Sequence, residues 1–282
     1  MCGVFGFAGK STWKTSVLLQ SLCIADEIRG KDSTGIVIQN QDQCQIKKKA
    51  LRGREFVGEG FTEFLFNAKY SLALGHNRLA TTGKVTDRNA HPFGVRVNKG
   101  WCFGIHNGVI RDKGTIAKKY GFDEPEVDSE VAFWAIAKMV NEGKELTEAI
   151  VEITKSIDPV ADYAFAYLDT QNRDIYLWRS EGRPLVILDA RELGLGGWFA
   201  STKEVFTNSW QPLRGALGSI AKVTYQEAKP HRLYRLKESS VLQVVTDIQV
   251  VPKIPVQPEP DMDWSIRKEE YEDLNQIDLF AR

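Results

Sequence analysis

The sequence predicts an α+β layered domain, on three observations. Helical and strand-like segments fall in separate blocks and do not alternate strictly. Many apolar runs are short and bounded by turn residues, as strands are. The apolar fraction is 43%, enough for a real core over 282 residues.

The elements follow in order. Val17, Leu18, Leu22, Ile24, Ala25 and Ile28 recur at three-to-four spacing, which predicts a helix over Trp13 to Arg29, ended by Gly30. The turn RGKDSTG then leads into a β-branched strand near Ile36 to Gln39. Ser71 to His76 and Trp101 to His106 read as strands. Asp112 to Tyr120 reads as a helix with Asp112 as cap. Glu130 to Val140 is a second helix of this block, capped by Asp128 or Ser129, and Glu145 to Ile157 a third. Strands dominate afterwards: Tyr163 to Leu168, Asp174 to Arg179, Leu185 to Leu188, Trp198 to Ser201 and Ala221 to Tyr225. From Val251 the texture changes. Prolines at 252, 255, 258 and 260 make a stiff spacer over 251–264, and 265–282 is a charged amphipathic tail, either a docking element or a frayed terminus.

Charge and composition exclude several classes. With 37 basic and 37 acidic side chains the formal net charge is zero, so no nucleic-acid or membrane-surface partner is expected. No apolar run approaches a membrane span, and the N-terminus MCGVFGFAGK has no charged n-region for secretion. Cys2, Cys23, Cys44 and Cys102 form no CxxC pair and no disulfide framework, so a reducing cytoplasm is the economical location. GFAGKST at 6–12 lacks the first glycine of a phosphate loop, because Val4 stands where it is required, and no strand is expected before it. His76, His91, His106 and His231 are too scattered for a metal set, so no metal and no cofactor is expected. The lysines at 47–49 read as a solvated strand end.

Chemistry begins at the second residue. Removal of Met1 leaves Cys2 with a thiol and a free α-amine, whose reference pKa values are about 8.5 and about 7.7–8.0. The amine then serves as general base for its own side chain, and no separate histidine is needed. With Met1 attached there is no free amine, and the site is inert.

Five stretches stand behind Cys2: CGVFGF at the start, RGKDSTGI at 29–36, GHNRLATTGKVTDRNAHPF at 75–93, IHNGVI at 105–110 and VDSEV at 127–131. In this order they resemble the glutaminase domain of class II, N-terminal-nucleophile glutamine amidotransferases, with the strongest likeness to the amino-sugar synthase (glutamine–fructose-6-phosphate transaminase) branch. Weaker echoes run through RSEGRPLVI and FASTKEVF, so the resemblance covers roughly residues 2 to 225.

The resemblance implies a four-layer αββα sandwich over residues 2–250, L-glutamine as substrate, and a role for each matched residue. Cys2 is the nucleophile. Asn107, by its amide, and Gly108, by its backbone N–H, form the oxyanion hole. Arg78 offers a planar fork for the α-carboxylate, with Thr81 and His91 supporting that end. Asp128 receives the α-ammonium, and Arg29 supports the nucleophile. Each has a plainer reading alone. Asn107-Gly108 is a strong hairpin signal, Arg78 a surface charge, His91 a loop residue before Pro92, and Asp128 a helix cap. Their joint order behind Cys2 outweighs these. Leu79 and Thr82 depart from the branch, which often has an aromatic and a histidine there, so coupling of the loop to a second substrate is expected to differ.

The function expected is hydrolysis of glutamine to glutamate and ammonia. Only about 57 residues follow position 225, so the acceptor chemistry is expected on a separate synthase. The alternatives are an N-terminal-nucleophile amidase for another amide, which Arg78 with Asp128 disfavours, and a catalytically silent scaffold of the same fold. A homo-oligomer stays open.

Overall fold

The computed structural model describes residues 1–249 apart from 42, 99 and 159. The proline-rich spacer and the tail expected beyond 250 lie outside the described residues. The chain opens on β1 (Gly3–Ala8), α1 (Trp13–Ala25), β2 (Ser33–Gln39) and β3 (Cys44–Lys49). It continues with α2 (Gly53–Gly58), α3 (Phe61–Asn67), β4 (Leu72–Arg78), β5 (Phe93–Val97) and β6 (Gly100–Gly108). A helical block follows: α4 (Lys113–Tyr120), α5 (Asp128–Asn141) and α6 (Leu146–Ser156). The last part holds β7 (Tyr163–Asp169), β8 (Asp174–Arg179), β9 (Val186–Asp189), β10 (Gly197–Ala200), α7 (Lys203–Trp210), α8 (Arg214–Leu217), β11 (Thr224–Glu227), β12 (Arg232–Lys237) and β13 (Leu242–Asp247).

The strands form two sheets. One runs β11-β9-β10-β1-β4-β2-β3, the other β13-β12-β8-β7-β6-β5. Strand alternation then dictates four layers. In β1, Val4 and Ala8 face the second sheet and pack in one cluster with Ile105, Ala166 and Leu177. Phe5 and Phe7 face the other way, into a cluster with Leu18, Leu22, Phe61 and Phe206 of the helices on that side. On the far side of the second sheet, Phe165, Tyr167 and Trp178 pack against Val131, Phe133 and Ile150. The result is the αββα sandwich. Central strands such as β1 and β7 are buried on both faces, so they read as near-continuous apolar runs even though their pairing is antiparallel.

Several elements differ from the sequence expectation. The first helix starts at Trp13 with a Thr12–Thr15 capping box but ends at Ala25. Asp26–Ile28 forms a 3-10 turn instead, because the chain must bend to bring Arg29 onto the carbonyl of Cys2, at 3.0 Å. Ile220–Lys222 is a 3-10 turn rather than part of a strand, since Ser219 Oγ accepts the Ala221 N–H. Asp112 stands at the N-cap of α4 without a side-chain bond. Neither Asp128 nor Ser129 caps α5: Val127 is the N-cap, and Asp128 is the first helical residue. Asn107-Gly108 ends β6 on the way to α4 and makes no hairpin turn.

The three lysines do end a strand with Lys49 exposed, but Lys48 is half-buried and bonded. They lie on edge strand β3, where Lys48 Nζ donates to the carbonyls of Ala90, Arg88 and Pro92 at 2.8, 2.9 and 3.4 Å, and Lys49 pairs with Asp87 at 3.0 Å. β3 and β5, both sheet edges, escaped the sequence reading because half-exposed strands mix lysine, arginine and glycine with their apolar residues.

Candidate active site

The site grows from one register. β1 and β4 are antiparallel neighbours with Gly3 opposite Asn77, and β2 pairs with β4 so that Ser33 lies opposite Arg78. The start of β1, the end of β4 and the start of β2 therefore meet at one end of the sandwich. Cys2 precedes β1 by one residue, and its Sγ lies 3.4 Å from both the N and the O of Leu79. Burial pushes the Cys2 thiol up, the Leu79 backbone and Arg78 draw it down, and Asp128 adds to the rise. The net direction is upward, so the resting group is a neutral thiol. Arg29 Nε holds the Cys2 carbonyl, and Met1 Sδ lies 4.0 Å from Arg29 and 3.9 Å from Arg183.

The RGKDSTG turn braces this corner. The Asp32 N–H donates to the Arg78 carbonyl at 3.0 Å, and Asp32 Oδ2 accepts the Ala80 N–H at 2.7 Å. A Cβ on Gly30 would come within 2.4 Å of the Arg78 backbone, so only glycine allows the approach.

Arg78 is almost fully buried and turns back on its own loop, donating from Nη1 to Lys84 O at 3.1 Å and from Nη2 to Thr82 O. Asp128 is equally engaged. Its Oδ1 accepts from the Thr82 hydroxyl and its Oδ2 from the Ile110 N–H, both at 2.7 Å. Ile110 lies two residues beyond Gly108. A continuous path of contacts thus runs from Cys2 through Leu79, Arg78, Thr82 and Asp128 to the end of β6.

Asn107 and Gly108 close β6 on the opposing sheet. The Asn107 side chain is buried, and its Nδ2 finds no acceptor among the described residues. A Cβ on Gly108 would come within 2.3 Å of Asp162 O and 2.5 Å of His106 Nε2, so only glycine fits. The two sheets are tied here by His76 Nε2 against His106 O at 2.9 Å. Burial drives His76 to about 3 and His106 to about 4, and holds His91 well below the usual histidine value. All three are neutral, so none is a charged partner of the thiol.

The expected residues divide into groups. Cys2, Arg29, Arg78 and Asp128 come together at one corner. Asn107 and Gly108 border it from the second sheet. His91 is buried behind it, its ring tilted against His76 at 4.1 Å between centroids, with neither ring nitrogen bonded among the described residues. Thr81 is exposed and makes no hydrogen bond among the described residues, whereas its neighbour Thr82 reaches Asp128. Sequence reasoning noted Thr82 as a departure from the branch and Lys48 as part of a solvated run, without the contacts they make here, and it passed over Asp32. The proximity of Asp32 to Arg29 in one motif was the available signal; for Thr82 and Lys48 the sequence carried nothing that named their partners. Among the described residues, no group of three histidine, cysteine or acidic side chains could hold a metal ion, and no helix is long and apolar enough to cross a membrane.

No protein-family model matches the chain. It is 33% identical over 190 residues to a glutamine–fructose-6-phosphate aminotransferase of Streptococcus mutans, covering 66% of this chain and 30% of that protein. The corresponding protein of Aquifex aeolicus is 31% identical over 193 residues, with the same shares of 66% and 30%. The chain therefore spans about a third of the length of the curated relatives it matches. Among solved structures, an allosteric regulatory enzyme of purine biosynthesis superposes with a TM-score of 0.69 at 22% identity, over 89% of this chain and 50% of that one. The glutamine phosphoribosylpyrophosphate amidotransferase of B. subtilis gives 0.67 at 20%, over the same shares of 89% and 50%.

Proposed function

This chain belongs to the class II glutamine amidotransferases, and we propose that it performs their glutaminase half-reaction with Cys2 as nucleophile. The observation that carries the reading is the path joining Cys2 to Arg78 and Asp128. A thiol nucleophile, a guanidinium and a carboxylate at one corner match an amide whose far end is an α-amino acid.

The residues present can take each role. A guanidinium has five N–H donors, and Arg78 uses two on its loop, leaving others for a carboxylate. A carboxylate has about four acceptor positions, so Asp128 has room for an α-ammonium beside Thr82 and Ile110. Once Met1 is removed, the freed α-amine takes the Cys2 thiol proton. The thiolate attacks the side-chain amide carbon, and the amide oxygen becomes an oxyanion. Asn107 Nδ2 and the Gly108 N–H are the proposed donors to it, each worth about 3–4 kcal/mol in well-studied hydrolases. The ammonium returns its proton to the leaving nitrogen, ammonia departs, and a γ-glutamyl thioester remains. Water, deprotonated by the same amine, adds to the thioester carbon; glutamate leaves and the thiol is restored. Arg29 fixes the Cys2 carbonyl and positions the nucleophile. His91 and Thr81 have supporting places only, His91 behind the loop and Thr81 on its exposed side.

Ammonia released at this corner is passed, in this reading, to a synthase carried by a separate protein in the cytoplasm, where a reduced Cys2 persists. The test combines intact mass with glutamate release by the wild type and Cys2→Ala. Loss of Met1 with Cys2-dependent glutamate supports the reading. A processed protein without turnover is then treated with an electrophilic glutamine analogue; a thioether on Cys2 identifies an idle enzyme. Retained Met1 with no labelling overturns the enzyme and leaves a scaffold of the same fold.

A further inference from the structure

β1 and β4 run side by side away from Cys2, from the Gly3–Asn77 pair to the Ala8–Leu72 pair. At 3.3–3.4 Å per residue these five steps span about 17 Å of sheet. At its far end the turn after β1, the segment before β4 and the turns following β2, β7 and β12 line an open cavity of about 920 Å³. The first two are knitted together: the Gly9 N–H donates to Ser71 O at 2.8 Å, and the Ser11 N–H to Tyr70 O at 3.0 Å. GFAGKST, unsuited to a phosphate loop, places its glycine, lysine and serine at 9, 10 and 11 in this wall.

The cavity is cationic. Lys10 and Lys69 line it, are exposed, and make no hydrogen bond or ion pair among the described residues. Arg173 is a third cation in the wall. Its Nη2 bonds Glu238 and, at 3.3 Å, Ser71 Oγ, while its buried Nε finds no acceptor among the described residues. Among the described residues Glu238 is the one acid in the lining, and it is already paired with Arg173. Two unpaired ammonium groups, an unmet guanidinium N–H and the hydroxyls of Ser11 and Ser239 form a donor-rich set. Such a set suits a compact dianion with several acceptor oxygens. The volume lies in the range of small-molecule sites and exceeds what a bare anion needs.

We propose that this cavity is an accessory binding site for a phosphate ester the size of a hexose phosphate or a nucleoside monophosphate, remote from Cys2. The ligand bridges the turn after β1 and the segment before β4, at the ends of these strands opposite Cys2 and Arg78.

The test is calorimetric titration of the full chain with inorganic phosphate, glucose 6-phosphate and AMP. The wild type, Lys10→Ala/Lys69→Ala and Lys10→Arg/Lys69→Arg are compared. The wild type is expected to bind one of the esters at millimolar concentration or below, more tightly than inorganic phosphate; the preferred ester identifies the sugar or the nucleoside as the source. Each lysine-to-alanine change is expected to weaken binding about tenfold, as loss of a charge-assisted hydrogen bond does, and the arginine pair to retain it. Both lysines are exposed and far from the corner described above, so the alanine pair is expected to fold normally. Failure of all three probes to bind at millimolar concentration overturns the proposal. So does an alanine pair that binds as tightly as the wild type.

Discussion

The Thr82 hydroxyl donates to Asp128 Oδ1 at 2.7 Å, and the Asp128 N–H donates back to Thr82 Oγ1 at 3.3 Å, across 46 positions of sequence. This reciprocal pair closes the loop that Arg78 grips by the carbonyls of Thr82 and Lys84. The loop is fastened by the same two charged groups proposed to hold the ends of glutamine.

Thr82→Val keeps the shape and removes the hydroxyl. Under the proposed function the loop then closes less firmly over substrate. KM for glutamine is expected to rise about five- to tenfold, in line with a lost hydrogen bond to a charged group, with kcat within about twofold. Thr82→Ser restores KM. Steady-state glutamate release decides it, and an unchanged KM in Thr82→Val would refute the latch.

Lys48 ties edge strand β3 to the segment around His91, through the carbonyls of Arg88, Ala90 and Pro92. Burial pulls its ammonium down, yet no other cation bonds these acceptors among the described residues. Lys48→Met leaves them unpaired in a half-buried place. A loss of roughly 1–3 kcal/mol is expected in urea unfolding, and Lys48→Arg should lose less. Equal stability of Lys48→Met and the wild type would show the bonds to be incidental.

The pH profile separates an amine base from a histidine base. His76 at about 3 and His106 at about 4 are already neutral at pH 5, and His91 is held low as well. The Cys2 thiol is raised, so it stays protonated near neutrality. Activity therefore waits on the free α-amine. On lowering the pH, kcat/KM is expected to fall with unit slope through about 7.7–8.0. A midpoint near the ordinary histidine value would rule out the amine.

Asp26 is fully buried beneath the start of β1, and neither of its oxygens has a hydrogen-bond partner among the described residues. A Cβ on Gly3 would overlap its carboxylate, at 1.7 Å. Burial raises this carboxyl well above its ordinary value, against the pull of Arg29. The folded state binds the proton more tightly than the unfolded one. Its contribution to stability is complete below the unfolded value and is lost as pH rises toward the folded one. Asp26→Asn is neutral throughout. It is expected to gain about 1 kcal/mol, roughly 2–4 °C in Tm, at pH 7–8 and nothing at pH 3. A Tm difference independent of pH would contradict it.

Different features were legible to different degrees. β7 and β8 announced themselves as apolar runs between turns because both of their faces are buried. α6 was legible from its spacing. β3 and β12 were not, because lysines in edge strand β3 and arginine and lysine in β12 interrupt their apolar residues. The first helix was overextended past Ala25, since nothing in its spacing reveals that Arg29 must return to Cys2.

By itself, the sequence determined the residue types and the local punctuation: a cysteine at position 2, the five ordered motifs, two sheets' worth of short apolar strands, and glycines where backbones approach. Those features are local, and side-chain periodicity over a few residues encodes them. Only the tertiary structure decided which charges meet. It set Asp128 against Thr82 instead of the helix cap, turned the Arg78 fork onto its own loop, buried three histidines into neutrality, and converted an exposed-looking lysine run into a brace. These outcomes depend on desolvation and on partners tens of residues apart, which strand register fixes and no local pattern records.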